Sequence, residues 1–183
     1  MLFNYISVDD VLNEQECEEI INYSQDDMSK SRVGDDLKFG KIRNSTNSFL
    51  NPGSLIDEHI EKVLKSFFWV AREGYKLPLQ GVESIQFTDY KIGSYYDWHV
   101  DTSSDDMNMD RDISASLILS DRSNYEGGEL QFKDIKNDEG EGHIVEEKRG
   151  KLVVFPSMMM HRVRKVTKGR RNSLVMWGLR TTA

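Results

Sequence analysis

The amino-acid sequence predicts a mainly β protein with supporting α-helices: a double-sheet jelly roll, or double-stranded β-helix, buttressed by helices that precede it. Three observations lead there. Helical periodicity is confined to the part of the chain before residue 80. From residue 82 onward the sequence changes to short runs rich in Val, Ile, Phe, Tyr and Leu, separated by Gly, Asp, Asn and Ser clusters, which is the grammar of strands and tight turns. About eight such runs after two helices suit two packed or closed sheets with helices on one side.

The first helix is expected over Glu14–Ser24. Asn13 followed three residues later by Glu16 forms a capping box, and Cys17, Ile20 and Ile21 recur at helical spacing. The second follows Pro52 and Gly53, where Ile56, Ile60, Val63, Leu64 and Phe67 share one stripe. Between them Lys41–Asn47 reads as an edge strand carrying Arg43 and Ser45. Strands are then expected at 82–91, 95–100, 113–119, 129–132, 144–147, 151–155, 160–166 and 171–178. No repeat and no Pro-rich or Gly/Ser-rich linker interrupts the chain. Residues 1–183 are therefore expected to form a single domain, with 1–80 as helical support and 81–183 as the jelly-roll core.

Charge and cysteine usage exclude several function classes. A net charge of -7, from 31 acidic and 24 basic side chains, repels polyanions and disfavours a nucleic-acid substrate. One cysteine, Cys17, excludes an internal disulfide and a thiolate-rich zinc site, and points to a reducing, cytoplasmic setting. The N-terminal residues lack a basic start and an apolar run, so neither export nor a membrane anchor is expected. Oligomeric state leaves no mark.

Chemistry enters at Tyr95-Tyr96-Asp97-Trp98-His99-Val100-Asp101. His99 and Asp101 stand two residues apart on an expected strand and so share a face, where both can reach one metal ion. A 2-His-1-carboxylate triad needs a third donor, and His161, just after the apolar run Leu152–Pro156, is the candidate. Alone, His-x-Asp is weak, because such pairs also meet in surface turns. Arg171 and Ser173 add weight: on one strand face they make a carboxylate clamp, and an inward arginine is costly unless an anion meets it. Val175 and Trp177 continue that face, yet Leu174 and Met176 on the other are equally apolar, which leaves open which face looks inward.

Six ordered stretches carry a resemblance. They are Gln86-Phe87-Thr88-Asp89-Tyr90, Tyr96 to Asp101, Asp110-Arg111-Asp112-Ile113-Ser114, Tyr125-Glu126-Gly127-Gly128-Glu129-Leu130, Phe155-Pro156-Ser157 leading to His161-Arg162-Val163, and Gly169 to Leu174. Over residues 81 to 178 the chain resembles the Fe(II)/2-oxoglutarate-dependent dioxygenases of the prolyl 4-hydroxylase-like superfamily, in particular the small bacterial and phage-type hydroxylases. The resemblance implies a cupin-like core in which His99, Asp101 and His161 bind Fe(II). It also implies that Arg171 holds the distal carboxylate of 2-oxoglutarate, helped by Ser173 and the Tyr90 phenol. Catalysis then falls to His99, Asp101, His161 and Arg171, with O2 and 2-oxoglutarate consumed, succinate and CO2 released, and ascorbate as an optional addition. The implied substrate is a protein or peptide residue, with proline favoured.

Alternatives stay open. A nucleobase or small-molecule oxygenase would share the chemistry, although the nucleobase branch carries a second arginine where this chain has Trp177. A non-catalytic cupin-like module or a zinc hydrolase would need no Arg171. Other features have plainer readings: Gly127-Gly128 as a turn, the acidic runs at Asp105-Asp106 and Asp138–Glu141 as solvated loops, His59 and His143 as surface residues, and Met158-Met159-Met160 as core or as the rim of the site. The basic residues from Arg162 to Arg170 read as a solvated hairpin, Thr102–Arg111 as a lid, and Arg43 as a residue facing substrate.

Overall fold

A computed structural model of the chain describes residues 4–30, 43–50, 56–102, 111–133, 135 and 142–180. In chain order the elements are β1 (Ile6–Val8), α1 (Glu14–Lys30), β2 (Arg43–Asn44), β3 (Thr46–Phe49), α2 (Asp57–Trp69), β4 (Leu79–Tyr90), β5 (Tyr95–His99), β6 (Arg111–Ile118), β7 (Tyr125–Gly127), β8 (Leu130–Phe132), β9 (His143–Ile144), β10 (Leu152–Pro156), β11 (His161–Val163), β12 (Val166–Gly169) and β13 (Arg171–Arg180). A π turn at Val70–Gly74 ends α2.

Two sheets carry the fold. The larger runs β1-β10-β6-β13-β4-β3 and the smaller β2-β5-β11-β8-β9, with β12 paired to β7 at one end; every pairing is antiparallel. The mainly β reading holds, and β4, β5, β6, β8, β10 and β13 fall within about three residues of their expected places.

Period-two alternation on the central strands assigns the two faces. Leu174 and Met176 of β13, Leu152 and Val154 of β10 and Leu117 of β6 pack with Cys17 and Ile20 of α1 and with Val63 and Phe67 of α2. Ser173, Val175 and Trp177 therefore face the space between the sheets, which settles the ambiguity left by an apolar β13. Val153 and Phe155 point the same way and join Leu130, Phe132 and Met159 in a second core. Deletion of one such side chain, Leu174→Ala for example, would cost about 2–5 kcal/mol.

The capping box at α1 forms as expected, with Asn13 Oδ1 accepting from the Glu16 amide at 3.0 Å and Glu16 Oε2 accepting from the Asn13 amide at 2.9 Å. Some expectations need adjustment. α1 extends to Lys30, the stretch 160–166 divides into β11 and β12, β1 is an added strand, and the edge strand expected at Lys41–Asn47 appears as β2 and β3, one at the edge of each sheet. His59 lies between the helices, bonded to Glu19 at 2.6 Å, and His143 is stacked on Tyr5 and bonded to its hydroxyl at 2.8 Å, so neither is a free surface residue. The acidic runs at 105–106 and 138–141, and residues 103–110 of the expected lid, lie outside the described residues.

Candidate functional site

β5 and β11 are neighbours, and their register sets His161 directly opposite His99. Asp101 follows at the end of β5, where its amide donates to the Ser157 carbonyl at 2.8 Å. The three donor atoms all lie within 4.8 Å of one another: Asp101 Oδ1 is 3.5 Å from His99 Nε2, and Oδ2 is 3.6 Å from His161 Nε2.

Both imidazoles are aimed by backbone carbonyls. His99 Nδ1–H donates to Asp97 O at 2.7 Å and His161 Nδ1–H to Met159 O at 2.9 Å, which leaves each Nε2 lone pair turned toward the shared centre. Tyr96 stacks on His99 with ring centroids 3.5 Å apart, and Phe155 meets His161 edge-on at 4.7 Å, so neither ring can swing away. Burial pushes the His161 pKa down, only partly offset by Asp101, and the ring is thus a neutral donor at ordinary pH. Asp101 Oδ2 is buried with no hydrogen-bond partner. A bare carboxylate oxygen facing two imidazole Nε2 atoms lacks a cation, and this donor set fits a divalent metal with open coordination positions.

Beside the cluster is a cavity of about 420 Å³, whose wall includes His99, Asp101, His161, Tyr90, Ser173 and Trp177. Arg171 is fully buried, yet it stands behind Tyr90 and Ser173 and is not part of the wall. Its guanidinium lies 5.4 Å from the centre of the Tyr90 ring; Nη1 donates to Ser173 Oγ at 3.1 Å and Nη2 to Glu147 Oε1 at 2.7 Å. Burial works against this charge, but Glu147 overrides it and holds the Arg171 pKa above its ordinary value.

The expected residues are thus brought together: His99, Asp101 and His161 in one cluster, with Tyr90, Arg171 and Ser173 adjoining. Arg43 lines the cavity and covers the Tyr96 ring at 4.8 Å. Of the methionines, Met159 is core and Met158 is exposed, and neither lines the cavity. Three cations of the basic hairpin are paired with carboxylates, Lys168 on Glu126, Arg164 on Glu129 and Arg170 on Asp89, while Arg162 lies over the Trp98 ring and Lys165 over Tyr95.

Sequence reasoning missed Glu147 and Arg111. Glu147 closes the expected strand 144–147, of which the structure keeps only β9, His143–Ile144; the available signal was the argument that a buried arginine needs an anion, which a protein carboxylate also satisfies. Arg111 sits on the cavity wall, 4.2 Å over the Trp177 ring and paired with Glu83.

Comparison with known proteins agrees with this geometry. The 2OG-Fe(II) oxygenase superfamily model matches residues 85–178. A PKHD-type hydroxylase of Shewanella oneidensis is 36% identical over 104 residues, 55% of this chain and 44% of that protein. A PKHD-type hydroxylase of Aliarcobacter butzleri is 41% identical over 96 residues, 50% of this chain and 41% of that one. The match therefore spans less than half of either relative's length. Among solved structures, a Pseudomonas putida prolyl-4-hydroxylase superposes with a TM-score of 0.79 at 22% identity, covering 99% of this chain and 95% of that one. A Trichoplax adhaerens prolyl hydroxylase, solved with a hypoxia inducible factor peptide fragment, gives 0.75 at 14% identity, covering 98% and 84%. The chain belongs to the 2OG-Fe(II) oxygenase superfamily, and its fold is of the prolyl 4-hydroxylase-like type.

Proposed function

We propose that this protein is an Fe(II)- and 2-oxoglutarate-dependent hydroxylase acting on a peptidyl residue, with proline the favoured target. One observation carries the reading: Asp101 Oδ2 is a buried carboxylate oxygen without a hydrogen-bond partner, held between two imidazoles whose Nδ1 atoms are already committed. His99, Asp101 and His161 would hold the iron, which with 2-oxoglutarate as co-reductant supplies activation of O2.

The chain's own groups do the rest. The Asp97 and Met159 carbonyls keep both Nε2 atoms in place, and Tyr96 and Phe155 wall off water. Arg171 and Ser173, with the Tyr90 phenol, form the anchor for a distal carboxylate. Farther along the same face of β13, the cavity wall includes Trp177, whose Nε1–H is buried without a partner. Arg111 beside it is neutralised by Glu83, and Phe49 and Val100 are exposed. An indole donor and apolar side chains suit a peptide better than a phosphate backbone. The relatives' names and the peptide-bound Trichoplax adhaerens enzyme support the same class.

The test is turnover with Fe(II), O2 and 2-oxoglutarate, with and without ascorbate, following succinate by NMR in the presence of cell-extract peptides. Succinate together with a peptide heavier by one oxygen atom is expected. Failure of the iron-loaded protein to bind or consume 2-oxoglutarate removes the proposal, and oxygen addition to a nucleobase instead of a peptide would replace the substrate class.

A further inference from the structure

Arg171 is not a free cation awaiting an anion. Glu147, whose side chain is fully buried, takes its Nη2 at 2.7 Å and its Nε at 3.2 Å. A guanidinium carries five N–H donors. With Nε and one Nη2 donor on Glu147 and one Nη1 donor on Ser173, each terminal nitrogen keeps one N–H that no described residue uses.

Glu147 is itself held from three sides. Tyr125 Oη–H donates to Oε2 at 2.6 Å and the Leu130 amide to Oε1 at 3.2 Å, opposite the guanidinium. The chain between those donors passes through Gly127 and Gly128, both at positive φ. A Cβ at Gly128 would stand 3.0 Å from Arg171 Cδ and 2.9 Å from Val166 Cγ2. The Tyr125-to-Leu130 stretch is thus a brace built around one carboxylate, and its diglycine gives room to the arginine stem.

We infer that Glu147 is a positioning residue that sets the protein's affinity for the cosubstrate. It fixes the guanidinium by one edge, turns the remaining N–H donors toward Ser173, and cancels the charge. An arriving distal carboxylate then meets an oriented donor pair, but one whose charge a second carboxylate already shares. Binding is weaker than at a lone arginine and depends on how much of the Glu147 charge the Tyr125 hydroxyl withdraws. The inference rests on the 2-oxoglutarate reading above.

Calorimetric titration of 2-oxoglutarate into the Fe(II)-loaded protein without oxygen tests it apart from turnover. Glu147→Gln keeps the shape and an acceptor but removes the charge, so the Kd should fall about tenfold, the scale of one like charge removed a few ångströms away in a partly screened interior. Tyr125→Phe leaves more negative charge on Glu147 and should raise the Kd about threefold, the scale of one lost hydrogen bond. A purely structural brace would loosen the anchor in both variants, so opposite signs are the signature. An unchanged or raised Kd in Glu147→Gln overturns the inference while leaving the function standing. Should that variant not fold, Tyr125→Phe decides: a raised Kd with the Leu130 amide exchanging its hydrogen at the wild-type rate supports the inference, and an unchanged or lowered Kd, or a raised one with a faster-exchanging Leu130 amide, overturns it. If the wild-type protein binds no 2-oxoglutarate, this inference and the proposed function fall together.

Discussion

The two charged centres of this molecule, both buried between the sheets, are built on opposite plans. At His99, Asp101 and His161 the surrounding carbonyls satisfy only the rear of each imidazole, and Asp101 Oδ2 is left without a partner. At Arg171 the protein supplies nearly everything: a counter-carboxylate, a hydroxyl, and a second layer that holds the carboxylate in turn. The first centre is energetically unfinished until a cation arrives. The second is complete as a salt bridge, and under the proposed function it would bind a ligand by sharing. Loss of a side chain should therefore abolish ligand binding at the first, and should cost folding free energy at the second.

The largest expected effect is at Asp101. Asp101→Ala should abolish stoichiometric Fe(II) binding and with it turnover, as metal analysis and the succinate assay would record. The metal-free protein should lose little thermal stability, because an unpartnered buried carboxylate disappears along with the contact it made. Wild-type metal content in this variant would refute the assigned donor set, and a large drop in the melting temperature of the metal-free form would show that Asp101 is structural.

Next comes Arg171. Arg171→Ala leaves Glu147 buried beside Tyr125 without its cation, a situation that costs about 3–5 kcal/mol, so denaturant melts should show the loss before any assay is run. The double variant Arg171→Met with Glu147→Leu should recover most of that stability, since a buried ion pair replaced by apolar side chains is often neutral or stabilising. Its 2-oxoglutarate affinity should remain lost. If the double variant is as unstable as the single, packing and not charge holds this region together.

How far these centres could be read from the sequence follows from the same contrast. His99 and Asp101 were legible because the strand period puts i and i+2 on one face, and β5 is a strand by composition. His161 needed the family's motif order, since the pairing of β11 with β5 is tertiary. Arg171 and Ser173 were legible as a pair, but not their partner. Glu147 ends the expected strand 144–147, where the strand period sets it on the same face as the apolar Val145, but its neighbours Glu146, Lys148 and Arg149 are all charged and mark no buried partner for Arg171. The jelly roll was legible from its long central strands. β1 and β7 were not: three residues carry too little pattern, and their existence depends on the strands they pair with, whereas β2 lies within the edge strand expected at Lys41–Asn47. The division of 160–166 is tertiary in the same way, because β11 pairs with β5 and β8 while β12 pairs with β7.

Gly128 offers a subtler probe of the second centre. Gly128→Ala places a methyl group at positive φ against the Arg171 stem and Val166, which should cost about 1–3 kcal/mol in strain. It should also displace the guanidinium from Ser173 and weaken 2-oxoglutarate binding without touching Fe(II) binding. Equal weakening of both ligands would mean that the two centres move as one body, against the contrast drawn above.

The smallest effect is expected at Arg43, where the two plans meet the cavity mouth. Its guanidinium covers Tyr96, which in turn stacks on His99, and it is tied to Ser45 and Asn47 by hydrogen bonds to neutral groups. A cation–π contact at a partly open site contributes about 0.5–1 kcal/mol, and His99 keeps its Asp97 hydrogen bond without it. Arg43→Ala should therefore leave Fe(II) and 2-oxoglutarate affinities within about threefold of wild type, a change of less than 1 kcal/mol. Of the ligands, only the peptide should lose more: its KM should rise while kcat holds, because Arg43 is a charged side chain on the cavity wall that no carboxylate neutralises among the described residues. An unchanged peptide KM would reduce Arg43 to a cap on the Tyr96 ring and move the search for substrate contacts to Trp177 and Arg111 on the facing wall.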